Sequence, residues 1–303
     1  MQDLDAIKAR IEISGLKGRH LRQLDTKDWA GYAALLAENF ELDISDRTGI
    51  PPIHGRDAAM KLIQGSIGAV TTVHQAHPAE FEIQNDEVLA VWPMHDRIVR
   101  GPEQPSNSGY GHHHDRWVLR NGEWKLASQK LTRLHVDTLP PATALPRGNA
   151  PAAPQSLKVN DLQAISAWMD LNQAMARFCR ALDTKDWAGY ANLMTDDYVL
   201  DVSEGSNIPV VHGRDAALKQ IQSSILTATT AHQIHTPEIE IKGDEARVIW
   251  AMQDRVLWGA DRPSLTGYGH YHQRWVRQNG QWKLAEQKLT RLHLDFQMPQ
   301  TAV

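Results

Sequence analysis

The chain is 303 residues long, 42% hydrophobic and 22% charged, with a formal net charge of −4. This is the balance of a folded soluble chain with room for two cores of ordinary size, and it argues against a disordered or low-complexity protein. A mild negative charge without a basic run speaks against a nucleic-acid partner. No apolar stretch approaches the ~20 residues that span a bilayer, and Met1 to Arg10 lacks a signal-peptide core, so no membrane partner is expected and the default localisation is cytoplasmic.

Leu4 to Leu24 has the spacing of an amphipathic helix, with Ile7, Ile11, Ile13, Leu16, His20 and Leu24 near one side and Asp25 directly after it. Asp28 is a cap for a second helix reaching Ala37, Phe40 to Ile44 alternates as a strand, and Gly55 to Ile67 predicts a third helix. Four strands follow: His74 to Ile83, Val88 to Val99, Gly109 to Leu119 and Trp124 to His135, with turns at Asn85-Asp86 and Asn121-Gly122. Leu139 to Pro154 carries five prolines among alanines and reads as an extended linker.

Beyond the linker the pattern repeats. Asp25 and its neighbours Leu24 to Ala33 return as Leu182 to Ala191, an offset of 158 residues (25 to 183) that needs no gap from Asp25 to Asp137. A period this long, present twice, is a duplicated domain and not a solenoid. The expected organisation is a domain over 1–138, a Pro/Ala-rich linker over 139–156 and a second domain over 157–303. Helices followed by an antiparallel meander predict an α+β class. Each domain should be a curved antiparallel sheet wrapped around helices, with a pocket between them. Cys179 cannot form an internal disulfide; its counterpart is Leu21, so it reads as a small apolar helix residue.

The chemistry should reside in polar side chains that occur in both copies. Asp25 and Asp183 end amphipathic helices, where a turn carboxylate is the alternative to a functional one. His74 and His232 open strands, and His77 falls on the opposite face from His74. A carboxylate beside a histidine fixes the imidazole tautomer and raises its basicity, as proton abstraction near neutral pH requires. Trp92, Met94 and Asp96 share one strand face, as do Trp250, Met252 and Asp254, and an acid in such company must be paired or functional. A structural salt bridge is the plainer reading of that acid. Of the run Gly109 to His114, the alternation groups Tyr110, His112 and His114 as cavity-lining polar groups, with Tyr268, His270 and His272 in the copy. A metal site is disfavoured because adjacent strand residues diverge, no cysteine accompanies them, and His113 becomes Tyr271. No GxSxG elbow, phosphate loop or dinucleotide turn is present, which leaves acid–base chemistry without a cofactor.

Leu16 to Asp25, the His74 to Glu80 strand, Met94-His95-Asp96 and Gly122 to Lys125 resemble the SnoaL-like branch of the nuclear-transport-factor-like superfamily. The pattern is nearest to bile-acid 7α-dehydratases and hexachlorocyclohexane dehydrochlorinases, and it covers both copies almost end to end. The resemblance implies that each domain is a cone of curved antiparallel sheet closed by helices around an internal pocket, and that Asp25 with His74, and Asp183 with His232, form a dyad that removes a proton while a leaving group departs. It also implies that Asp96 and Asp254 are pocket carboxylates. The bile-acid enzymes carry a tyrosine five residues before the dyad Asp; here that position is His20 in one copy and Phe178 in the other. A phenyl ring cannot transfer a proton, so the two pockets should differ.

The expected function is a dehydratase-type lyase acting on a hydrophobic cyclic or aromatic small molecule, with His20, Asp96, Tyr110 or His112 assisting departure and Trp92 and Trp250 walling the pocket. An isomerase, a polyketide-cyclase-type enzyme or a carbon–carbon lyase with the same dyad is the alternative, as is a non-catalytic ligand carrier. Relatives associate through their sheets, which suggests an intramolecular pseudo-dimer and leaves a further homo-oligomer open.

Overall fold

The computed structural model describes residues 3–143, 145, 149–259 and 261–298. The chain divides into two compact units, one ending at residue 144 and the other starting at residue 145. The first opens with α1 (Asp3–Thr26) and α2 (Trp29–Leu35), then β1 (Leu36–Asp43), a single turn α3 (Ser45–Thr48), β2 (Ile53–His54) and α4 (Arg56–Ile67). The strands β3 (Thr71–Ala76), β4 (Glu80–Gln84), β5 (Glu87–Val99), β6 (Ser106–Arg120) and β7 (Glu123–Leu139) complete it. The second unit runs α5 (Leu162–Thr184), α6 (Trp187–Ala191), β8 (Met194–Asp201), β9 (Val211–His212), α7 (Arg214–Ile225), β10 (Thr229–Lys242), β11 (Glu245–Leu257), β12 (Ser264–Gln278) and β13 (Gln281–Gln297). Both units are α+β. No helix among the described residues is long and apolar enough to cross a membrane.

Local chemistry sets the joints. Lys27 and Lys185 adopt left-handed φ values of 62° and 60°, which end the long helices just past Asp25 and Asp183. Asp28 then caps α2 by accepting from the Gly31 N–H at 3.0 Å, and Asp186 does the same for Gly189 at 2.9 Å. The predicted continuation of α2 to Ala37 does not occur. Leu36 is extended and pairs with Leu126, so sheet pairing overrides the local helical tendency. The predicted strand from His74 to Ile83 breaks around Pro78, which has no N–H to give; in the second unit Thr236 takes that place and β10 continues through a bulge.

Strand order is β2-β1-β7-β6-β5-β3 in the first unit, with β4 also on β5, and β10-β11-β12-β13-β8-β9 in the second. The sheets are not wholly antiparallel as expected: β1 with β7 and β8 with β13 pair in parallel. The long helix packs on one sheet face. Ala9, Ile13, Lys17, Leu21 and Leu24 form its buried stripe, whereas Ile7, expected inside, is exposed. Trp92, Trp117, Phe40 and Leu126 complete the first core, and Trp250, Trp275, Tyr198 and Leu284 the second. Cys179 lies in the second core, where burial pushes its thiol up to about 12, as befits a packing residue.

Candidate active site

Asp25 and His74 meet. Asp25, 1% exposed, reaches from the last turn of α1 to β3. Its Oδ1 accepts from Thr72 Oγ1 at 2.8 Å and from His74 Nδ1 at 2.6 Å, and its Oδ2 accepts from the His74 backbone N–H at 2.7 Å. A carboxylate only accepts, so the ring hydrogen sits on Nδ1 and Nε2 presents a lone pair. Lys27 Nζ in turn donates to Thr72 Oγ1 at 2.8 Å. The second unit repeats every contact: His232 Nδ1 to Asp183 at 2.6 Å, its backbone N–H at 2.8 Å, Thr230 at 2.9 Å and Lys185 on Thr230 at 2.9 Å. Burial opposes the charge on Asp183, yet the hydrogen bonds from His232 and Thr230 outweigh it and hold the carboxyl below its ordinary range.

Beside each histidine lies an ion pair. His74 is the cross-strand partner of Asp96, which binds Arg133 at 2.5 Å. Asp254 takes Arg291 through two bonds, 2.8 and 2.7 Å, and although burial opposes its charge, the guanidinium holds its carboxyl low. Gly109 and Gly267 make room: a Cβ there would collide with the Arg133 or Arg291 guanidinium and with the Asp96 or Asp254 carboxylate. Bulges between positions 133 and 135, and between 291 and 293, turn these arginines inward.

The inner faces then diverge. In the first unit Lys17 is fully buried, donates to Asp115 Oδ2 at 2.8 Å and lies 3.1 Å from His113 Nδ1. Gln129 also donates to Asp115, at 2.9 Å. His20, fully buried, has its Nε2 3.0 Å from Tyr32 Oη, and its Nδ1 has no hydrogen-bond partner. Burial raises Tyr32, so the phenol keeps its hydrogen; when it donates that hydrogen to Nε2, the His20 ring hydrogen sits on Nδ1. Burial first, and the Lys17 charge second, push both His20 and His113 well below the ordinary histidine range, so both rings are neutral at pH 7. The matching positions in the second unit are Met175, Phe178, Tyr271 and Gln273, while Tyr190 stands for Tyr32. Phe178 packs on Tyr190 at 4.8 Å, and Gln273 accepts from Trp250 and Trp275, each at 2.9 Å.

The expectation that Tyr110, His112 and His114 line the cavity is corrected. Cross-strand partners share a face, and Trp92 pairs with His113 and Asp96 with Gly109, so the inward set is 109, 111, 113, 115 and 117. Tyr110, His112 and His114 point the other way: Tyr110 is exposed and stacks on His95, and His114 bonds Thr132. Tyr268, His270 and His272 share that outer face in the second unit, where Tyr271 and Gln273 point in. The parity was available from Trp117, a certain core residue, counted back in twos. Trp92, Met94, Asp96, Trp250, Met252 and Asp254 do lie inward with the dyads. Lys17, Tyr32, His113, Asp115 and Arg133 were not anticipated. Their signals were a lysine within an apolar helical stripe, at the position that Met175 holds in the copy, and inward glycines that mark close approach. Among the described residues, no three His, Cys, Asp or Glu side chains converge as a metal site requires.

A part-buried Asp–His pair at the end of the long helix, facing a meander sheet, defines a small α+β domain present twice. The chain belongs to the family described as the SnoaL-like domain, whose model matches residues 5–130 and 163–288. Among solved structures it is similar to hexachlorocyclohexane dehydrochlorinase LinA-type3 from Novosphingobium barchaimii, at 18% identity and a TM-score of 0.42 over 48% of this chain and 99% of that one. It is also similar to a putative scytalone dehydratase from Novosphingobium aromaticivorans (20%, TM-score 0.40, 46% and 96%). A third likeness is to a protein of unknown function from Mycobacterium tuberculosis (23%, TM-score 0.38, 43% and 73%). No curated protein matches the chain.

Proposed function

We propose that the first unit is a cofactor-independent lyase site that performs a dehydratase-type elimination on a hydrophobic cyclic or aromatic small molecule. The observation that carries this reading is the 2.6 Å contact from the part-buried His74 Nδ1 to the buried Asp25 carboxylate, which frees Nε2 as a base. His74 Nε2 takes a proton from carbon. The C–H electron pair becomes the new double bond, and the bond from the adjacent carbon to the leaving group breaks with its own pair. His20 Nδ1–H and His113 Nε2–H donate hydrogen bonds to the departing atom, and the His74 imidazolium then returns the proton to it, so that a neutral molecule leaves. Asp25 stabilises the transient imidazolium, and Trp92 forms part of the apolar wall. The base contributes roughly 10²- to 10⁴-fold. The second unit keeps the base but has Phe178 and Tyr271 where the first has its imidazole donors.

The test is mass spectrometry of products from a panel of hydroxylated steroid-like and aryl-propanoid substrates, comparing wild type with His74→Ala, His232→Ala and the double variant. Loss of a small molecule that vanishes with His74→Ala supports the reading. Rearrangement at constant mass replaces it with an isomerase or cyclase, and binding without turnover replaces it with a ligand carrier.

A further inference from the structure

We propose that Lys17 is a positioning residue: its ammonium donates to His113 Nδ1 and thereby fixes His113 as the tautomer that presents Nε2–H to the site. The inference rests on reading the first unit as an acid–base site. Lys17 stands two turns before Asp25 on α1, at spacing 17, 21, 25, which places it on the helix face that carries the dyad carboxylate. Nothing of its side chain or that of Asp115 is exposed. A buried ion pair is a poor stabiliser, because desolvation offsets most of the attraction, so its presence calls for another reason.

The second unit supplies that reason by comparison. It builds the same frame with Met175 for Lys17 and Gln273 for Asp115; Gln273 accepts from Trp250 and Trp275, each at 2.9 Å, and donates to Gln287 at 2.7 Å and to Met175 Sδ at 3.5 Å. The fold therefore does not need the ion pair. What changes with it is position 113: an imidazole, which has two tautomers, gives way to Tyr271, which has none. Lys17, Asp115 and His113 are thus replaced together, whereas Asp25, His74, Asp96, Arg133 and Thr72 keep their identities in the copy. Geometry gives the contact its sense. Asp115 accepts one ammonium hydrogen at 2.8 Å and is itself held by Gln129, so another hydrogen is free for His113 Nδ1 at 3.1 Å. With Nδ1 occupied as an acceptor, the single ring hydrogen resides on Nε2. Burial, and after it the same charge, opposes protonation of His20 and His113, so both remain neutral.

The experiment is long-range 1H–15N correlation on the full chain labelled with 15N-histidine, which reports which ring nitrogen carries hydrogen; His113→Gln assigns the signal. The expected wild-type result at pH 7 is one His113 tautomer, Nε2–H. In Lys17→Met, the residue the second unit carries, that single tautomer is lost to exchange or to Nδ1–H, with the His74 signals unchanged as the control for folding, and Lys17→Arg restores it. A wild-type His113 carrying hydrogen on Nδ1, or on both nitrogens, overturns the proposal without any variant. So does a folded Lys17→Met that keeps Nε2–H. A locked tautomer in a chain that turns over no substrate upholds Lys17 as the positioning residue and removes the lyase reading instead.

Discussion

The duplicated dyad allows a matched experiment within one chain. Asp25→Asn and Asp183→Asn alter the same three hydrogen bonds, from a threonine hydroxyl, a histidine ring and a backbone N–H. The best asparagine rotamer keeps its oxygen toward Thr72 and the His74 ring. Its amide then confronts the His74 backbone N–H across the 2.7 Å now occupied by Oδ2, donor against donor. An unsatisfied buried group costs about 1–3 kcal/mol, and the remaining two bonds lose their charge assistance, so Asp25→Asn should cost about 2–4 kcal/mol. The Asp183 side chain is 23% exposed against 1% for Asp25, so water can repair part of the damage and Asp183→Asn should cost less than half as much. Differential scanning calorimetry, with hydrogen exchange to assign each transition to its unit, should show the first unit's Tm fall by roughly 5–15 °C in Asp25→Asn. Equal losses in the two variants, or less than about 0.5 kcal/mol in Asp25→Asn, would refute the account of Asp25 as a buried three-bond acceptor.

Three further outcomes follow from the same contacts. His20 and His113 are held neutral in the folded unit but titrate near 6.5 when unfolded. Below about pH 6.5 the unfolded chain therefore binds protons that the folded one does not, and the first unit loses stability as pH falls toward the depressed folded values, with a limiting slope of about 2.7 kcal/mol per pH unit for two protons. Urea unfolding across pH 5–7 should show a steeper slope in wild type than in His20→Phe/His113→Tyr, which carries the second unit's residues and keeps only the smaller contribution of His77 and His95, also lowered by burial. Asp254 has the opposite window: its stabilisation is full above an unfolded pKa of about 3.9 and fades as pH drops through the lower folded value, while Asp254→Asn at pH 7 leaves Arg291 buried and unpaired at a cost of about 3–5 kcal/mol. Gly109→Ala should push the Arg133 guanidinium off Asp96 and destabilise the first unit by about 2 kcal/mol or more in denaturant titration, whereas Gly122→Ala, where a Cβ meets nothing but φ is 76°, should cost only about 1 kcal/mol.

The duplication, the helices-then-meander order and the candidate dyad were legible in the order of residues, because each rests on local period, on turn chemistry or on an identical residue at a fixed offset. Asp25 and His74 were legible since the same two residue types recur 158 positions on, as Asp183 and His232, and an acid beside a histidine suits proton abstraction. What surrounds them depends on how the strands pair and where the helix packs. Strand parity cannot be read from a run such as Gly109 to His114 until its partner strand is known, and pairing of Trp92 with His113 turned Tyr110, His112 and His114 outward. Arg133 reaches Asp96 because a bulge rotates one residue inward, and Lys17 reaches His113 across 96 positions of sequence. Such contacts depend on where a helix lands on a sheet. Hydrophobic periodicity fixes which face of α1 is buried, but the strand residue that a buried lysine meets there is set by the register of β6 against β5.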